Sequence, residues 1–419
     1  MSAVRSSGQM RGRIGALLGI LLMALSLRAA VVSVPPLLGR IGVDLEFTEF
    51  TTGLLAMLAP LTFAVFGLLT PRLIRALGLE RTLLLSVALA VFGQVARAFM
   101  ADVYSFLALS IVTLCGYGIG NVVLPPLVKK YFPDHIGLVT SGYVTLIAVG
   151  TWVAPQFSVP MADASNWRYS VGAWALLSTM VLVPWIIQLA ANRQHARVAN
   201  PAAGTAQVVA PERRINPWTN KVAWGLAIYL AGNSAQTYVY FTWLPPYLHT
   251  MGVAEVTAGN MLALFAILGL PVSLLVPLWV PRLKRPLSAV LIFTCCWIIG
   301  HLGIYLSPAQ GTALWVVMAG LGQGTFAIAL LMMNLRSRTT YGSGVLSGFA
   351  QGIGYAGAGI VPLLFGIVQQ ATGSWAVAFA MMGLCIIVML TGALMIDAPR
   401  TIEDVAEGVQ REPSLQEID

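Results

Sequence analysis

Residues 14–38 read IGALLGILLMALSLRAAVVSVPPLL, an apolar run holding one charge, Arg28. Roughly 20 apolar residues at about 1.5 Å per residue cross the hydrocarbon core of a bilayer, so the run reads as a spanning helix. Arg28 then lies roughly 21 Å along the helix from Ile14, near mid-membrane. A charge at that depth costs at least about 2.5–3.5 kcal/mol, and such residues are by default functional. A basic side chain near a helix end can snorkel to the interface. Arg28 is too deep for that and needs an internal partner.

The remaining sequence supports lipid as the solvent. Apolar residues make up 58% of the 419 and charged residues only 10%, with a mean hydropathy of +0.80. A soluble chain carries about 25% charge. The apolar runs are continuous rather than alternating, which excludes a β-barrel and leaves helices. Cys115, Cys295, Cys296 and Cys385 all fall inside apolar runs without metal spacing. They read as small buried hydrophobes, and neither a disulfide framework, a metal nor a cofactor is expected. The first run is too long for a signal-peptide core and contains Arg28, so cleavage is not expected. His135, His195, His249 and His301 are scattered. No catalytic constellation emerges, and an enzyme is not expected.

Twelve spans are expected, at 14–38, 51–71, 82–101, 104–128, 138–160, 167–190, 222–248, 257–280, 287–306, 312–334, 344–369 and 375–396. They define a cytoplasmic N-terminus (1–13), a six-helix bundle (14–191), a polar basic linker (192–218), a second bundle (219–396) and an acidic, unpatterned, mobile tail (397–419). With both termini cytoplasmic, 20 of the 24 basic residues fall on the inner side; Arg28, Arg40, Arg97 and Arg168 are the rest. That bias is the positive-inside signature of a multi-pass plasma-membrane (inner-membrane) protein. It accounts for the net charge of +8 without nucleic acid.

The two halves repeat. Val34-Pro35-Pro36-Leu37-Leu38 matches Leu244-Pro245-Pro246-Tyr247-Leu248, and Pro71-Arg72-Leu73-Ile74-Arg75 matches Pro281-Arg282-Leu283-Lys284-Arg285, both at an offset of 210. Ser141-Gly142-Tyr143 matches Ser347-Gly348-Phe349, and Gly116–Gly120 resembles Gly320–Gly324, at offsets of 206 and 204. Six plus six helices in one orientation are parallel repeats, the organisation of major facilitator transporters.

Polar residues inside the spans are the candidate site. Asn233, Gln236, Tyr240, Trp243 and Tyr247, spaced 3, 4, 3 and 4, share one face of span seven. An amide and aromatic stripe is costly against lipid, so it is expected to face a cavity; interhelical hydrogen bonding is the alternative. Tyr117 and Asn121, Trp152 and Gln156, Gln323, and Gln351 with Tyr355 lie in spans four, five, ten and eleven. Substrate contacts are assigned to Arg28, Tyr117, Asn121, Trp152, Asn233, Gln236, Tyr240, Trp243, Gln323, Gln351 and Tyr355. His301 reads as a structural contact, with proton carriage the alternative. Residues 352–357 (GIGYAG) satisfy G-x-G-x-x-G, but without a preceding strand they read as helix-packing glycines.

Leu27-Arg28, the run Gly118-Ile119-Gly120-Asn121-Val122-Val123-Leu124-Pro125-Pro126-Leu127-Val128-Lys129-Lys130-Tyr131-Phe132-Pro133 and Trp243-Leu244-Pro245 carry a family resemblance. Over roughly 14–396 the chain resembles the cyanate / 2-nitroimidazole transporter branch of the major facilitator superfamily. The resemblance implies alternating access, with Arg28, Asn121 and the span-seven polar face lining a central site. The superfamily's G-x-x-x-D-R-x-G-R-R turn corresponds to 71–81 (PRLIRALGLER), where Gly78 and Arg81 fit but Arg75 replaces the Asp. That turn reads as a solvated loop or a latch between helices.

The expected function is secondary active transport of a small anionic or planar polar solute, a cyanate-like anion or a nitro-heterocycle. Arg28 is the anchor, because a guanidinium fork suits oxyanions and flat heterocycles. No Asp or Glu lies inside any span, so the cargo is expected to supply the negative group. A multidrug efflux transporter for apolar or cationic compounds is the alternative, disfavoured by a central Arg without acids. The expected partners are the solute, the lipid bilayer, and a coupling proton or exchanged anion; a monomer is expected.

Overall fold

The structure, a computed structural model, describes residues 13–199, 215–283 and 285–407. Every described element is helical, and each of the twelve expected spans has its helix or helix pair. The first half comprises α1 (Ile14–Val32), α2 (Leu38–Leu45), α3 (Glu49–Leu77), α4 (Leu79–Arg97), α5 (Val103–Tyr131), α6 (Ile136–Ala164) and α7 (Trp167–Ala199). The second comprises α8 (Lys221–Thr250), α9 (Glu255–Trp279), α10 (Pro286–Leu306), α11 (Thr312–Gly322), α12 (Gly324–Leu335), α13 (Thr340–Thr372), α14 (Trp375–Asp397) and α15 (Ile402–Glu407). Among the described residues, ten helices are long and apolar enough to cross a membrane.

Local chemistry sets the boundaries. Thr48 and Thr51 form a reciprocal capping box at the start of α3, satisfying donors a helix start leaves open. Gly78, at φ 83°, ends α3 and starts α4 in one residue, a conformation glycine adopts without Cβ strain. Asp102, Asn220 and Thr339 cap α5, α8 and α13 through their side chains.

The structure departs from the expected spans in three places. The first span stops at Val32; Pro35–Leu37 form a 3-10 turn before α2. Prolines lack the N–H that would continue the ladder. The equivalent Pro245-Pro246 stay within α8. Span ten breaks at Gln323, whose N–H bonds back to Gly320 O at 3.2 Å. The helix before the linker runs on to Ala199, and the middle of the expected linker, 200–214, lies outside the described residues.

The chain divides into two compact units, Met1–Arg213 and Arg214–Asp419. In the first, α1 packs on α6 and α7, α4 on α5 and α7, and α3 on α5. In the second, α8 packs on α13 and α14, α10 on α11 and α14, and α9 on α11. These are the same five pairings. Close approach at matching glycines supports them: a Cβ on Gly93 of α4 would lie 2.5 Å from Thr113 N of α5, and one on Gly300 of α10 would lie 2.6 Å from Ala319 N of α11. Gly354, within GIGYAG, presses on Leu230 of α8 at 2.7 Å. The packing reading of that motif holds.

Candidate functional site

In the first unit, α1, α3 and α5 converge on Arg28. Its guanidinium carbon stands 6.0 Å from the ring centroid of Phe63 on α3, a cation–π contact worth about 0.5–2 kcal/mol. Phe63 is itself buried and abuts α5, where a Cβ on Gly118 would sit 3.3 Å from its ring. One residue before Arg28, Leu27 packs against Gly120 of α5. Asn121, the next residue of α5, is 8% exposed. Arg28 is half-buried, so its planar donor fork is held by packed helices rather than waving in solvent.

Tyr117 belongs to a different cluster. Its hydroxyl donates to Gln94 Oε1 of α4 at 2.9 Å and shares a 2.7 Å hydrogen bond with Ser178 Oγ of α7. This binds three helices together through one buried oxygen. Arg97, one of the four basic residues not placed on the inner side, is buried at 3% exposure. It donates to Ser110 Oγ at 3.4 Å and lies over Phe106. Gln94, Ser178 and Ser110 were missed in the sequence because single polar residues in apolar runs give no spacing signal. Trp152 is 47% exposed on α6, outside both clusters.

The span-seven stripe turns into its own unit. Asn233 Oδ1 accepts from Thr325 Oγ1 at 2.6 Å, and Gln236 Nε2 donates to Gly232 O at 3.2 Å. The Tyr240 hydroxyl meets His301 Nδ1 of α10 at 3.3 Å, and its ring stacks on Phe265 of α9. Trp243 Nε1 donates to Pro362 O of α13 at 2.8 Å, and the Tyr247 hydroxyl to Ile304 O of α10 at 3.2 Å. Interhelical bonding therefore claims the tips of Tyr240, Trp243 and Tyr247 and the Asn233 oxygen, whereas Gln236 bonds back to its own helix and its Oε1 and the Asn233 Nδ2 have no partner among the described residues. Tyr240, Trp243 and Tyr247 line a small cavity of about 20 Å³ with Ile304, Phe365 and Phe379. Gln323 Nε2 donates to Phe265 O at 2.6 Å across the break in span ten, and Gln351 Nε2 to Ser347 Oγ at 2.8 Å. Tyr355 is 3% exposed on α13.

Carboxylates gather at the helix ends. Glu80, in the turn that read as a solvated loop or a latch, accepts from Lys130 Nζ and from the Tyr131 hydroxyl at 2.9 Å, fixing the end of α5 to the start of α4. Nearby, Arg13 pairs with Asp134 at 2.8 Å. At the other end of the unit, Arg40 pairs with Asp163 at 2.7 Å and Arg168 with Asp44 at 3.4 Å. The expectation of an unpatterned mobile tail from 397 is corrected over its first part. Glu403 accepts from the backbone N–H groups of Arg338 and Thr339 at 2.8 and 2.9 Å, and Arg338 contacts Asp404 and Glu407. Two buried acids in a six-residue helix are legible only once the open N–H groups ahead of α13 are known. Burial lowers the pKa of Arg336, which donates to Ile396 O at 2.7 Å.

The two units share five helix pairings, and the first carries Arg28 and Arg97 inside its spans. The chain belongs to the Major Facilitator Superfamily, whose family model matches residues 16–362. It is 30% identical over 88% of its length to the uncharacterized transporter YycB of Bacillus subtilis, covering 90% of that protein. It is 28% identical to the 2-nitroimidazole transporter of Escherichia coli over 94% of this chain and 97% of that one. It is 26% identical to the cyanate transport protein CynX of the same organism, over 88% and 94%. Among solved structures, the proton:xylose symporter XylE superposes with a TM-score of 0.69 at 14% identity, covering 97% of this chain and all of that one; this shows the shared fold. The chain is thus a multi-pass membrane transporter, and the branch resemblance drawn from its motifs stands.

Proposed function

We propose that this transporter moves a small anionic or planar polar solute, of the cyanate or nitro-heterocycle type, by alternating access through the plasma membrane, with both termini cytoplasmic. The observation that carries the reading is Arg28, a guanidinium held over the Phe63 ring within a membrane helix. A flat anion or a nitro group can take two parallel N–H donors from that fork, and the adjacent ring face favours planar cargo. Asn121 on neighbouring α5 adds an amide of either hydrogen-bonding sense. The residues of α8, with Tyr117, Gln323 and Gln351, make hydrogen bonds inside their own units and act by holding the helices that present the contacts. Trp152 and Tyr355 are kept as further solute contacts. The names of two relatives, a 2-nitroimidazole transporter and a cyanate transport protein, support the solute class.

The test is exchange in proteoliposomes with cyanate, 2-nitroimidazole and a lipophilic cation offered separately. The expected result is exchange of one or both of the first two and none of the cation. Movement of the cation alone would replace this reading with multidrug efflux.

A further inference from the structure

In matching places, the two units follow a packed glycine with a buried polar residue. Gly93 and Gly300 both press on the next helix at its backbone nitrogen; Gln94 follows the first and His301 the second. Both carry a tyrosine hydroxyl: Gln94 accepts from Tyr117, and His301 Nδ1 meets Tyr240. An amide cannot change charge near neutral pH, whereas an imidazole can. His301 is 5% exposed, and its Nε2 has no hydrogen-bond partner among the described residues. A buried polar nitrogen left open in this way is costly unless it serves a purpose.

The surroundings of the ring are aromatic and, among the described residues, carry no opposite charge, so a proton taken up here is held only while a charged or wet partner reaches it. The imidazole lies edge-on to Trp297 at 5.3 Å and tilted to Tyr240 at 5.3 Å, so ring faces can meet an imidazolium. On α8 the nearest titratable group is Tyr240 itself; the Tyr229 and Tyr247 hydroxyls donate to the carbonyls of Thr325 and Ile304. α9 contributes Phe265 and carries no charge between Glu255 and its end. α11 and α12 carry no charged or titratable side chain. α10 itself holds Cys295, Cys296 and Tyr305, and α14 holds Cys385 and Asp397. The Asp397 carboxylate accepts from Leu287 N at 3.2 Å, at the opposite end of α10, roughly 21 Å from His301 by helical rise. Arg282, in the 3-10 turn packed against α10, is beyond that same end. Among the described residues no carboxylate therefore competes for the role, and Tyr240, which meets His301, also lines the aromatic pocket.

We propose that His301, held by Tyr240 beneath the aromatic pocket of the second unit, is the proton-binding site that couples solute movement to a proton gradient. The coupling half of this claim rests on the transport reading above; the binding half does not. In the cycle the neutral ring carries its proton on Nδ1, donated to the Tyr240 oxygen, so that Nε2 takes up a proton to give the imidazolium and releases that same proton on the other face of the membrane.

Proton binding is read directly from ¹⁵N-histidine spectra of the protein in lipid nanodiscs, titrated from about pH 8 to about pH 5. The signal lost in His301→Gln, the residue type the first unit carries at this place, identifies His301 among the 4 histidines. It is expected to move from the neutral to the imidazolium position, and Tyr240→Phe is expected to shift its midpoint. A His301 signal that stays neutral throughout overturns the proposal whatever the transport assays show. Coupling is read with cyanate and 2-nitroimidazole in proteoliposomes: His301→Gln should lose accumulation driven by a pH gradient while keeping exchange. Retention of driven accumulation, or loss of exchange as well in a folded variant, overturns it. If the wild type moves neither probe, the transport reading fails and the spectra still decide proton binding.

Discussion

The two units share five helix pairings yet carry different chemistry. The first holds two arginines at depth, Arg28 and Arg97; the second has none within its spans and offers amides, aromatic rings and His301 instead. Their helix ends differ too. In the first unit, Glu80 from the α3–α4 turn holds the end of α5. The matching turn of the second unit, residues 281–285, has no acid, and Glu403 arrives from beyond α14 to hold the start of α13. The duplicated part of the molecule is therefore its packing, set by small residues at helix crossings. Charge has diverged freely on that frame.

If packing is what the units share, matched substitutions should cost the same in each. Gly93→Val and Gly300→Val each place carbon against a neighbouring backbone nitrogen; both are expected to lose about 1–3 kcal/mol or more and to lower folded yield alike. Thermal unfolding in detergent checks this, and tolerance at one site alone would break the equivalence. Glu403→Ala should be next, leaving the N–H groups of Arg338 and Thr339 open for a loss of about 1–3 kcal/mol, with faster exchange of the first-turn amides of α13. Tyr117→Phe should cost about 0.5–1.5 kcal/mol, the scale of a buried neutral hydrogen bond, and leave solute exchange in place. Smallest is Arg40→Ala: an exposed pair with Asp163 is worth about 0–1 kcal/mol and fades with salt.

The pH response of the charged ends should be weak but signed. Hydrogen bonding to its own backbone N–H, then to Arg13 and His135, holds the Asp134 carboxyl below the ordinary carboxylate range. Its stabilising contribution is present above the unfolded-state pKa and is lost as pH falls through the lowered folded value. The Arg13 link should therefore survive mild acid. Chemical exchange at Asp134, followed by pH titration, checks the direction.

Much of the fold was legible because lipid imposes a simple rule: long apolar runs become helices, and the repeat follows from matching motifs around them. Gln323 and the Pro35-Pro36 pair show the limit. Whether a proline or a glycine-flanked residue breaks a helix depends on tertiary neighbours; at the break the Gln323 side chain is anchored on Phe265 O of α9. The site was legible only as a set of residue types. Helical spacing places Asn233 through Tyr247 on one face but does not say which helices that face meets, and it meets α10, α12 and α13. Arg28 stood out because charge in an apolar run is costly; Gln94 and Ser178, neutral and isolated, did not.

The central claim is tested most directly by equilibrium binding of cyanate and 2-nitroimidazole to purified protein carrying Arg28→Ala or Arg28→Lys, with folding checked by unfolding midpoint. The account predicts that the alanine variant loses binding and that lysine, a point charge without the fork, restores only part of it. Wild-type affinity in a folded Arg28→Ala protein would contradict the account, and full recovery by lysine would contradict its geometric half.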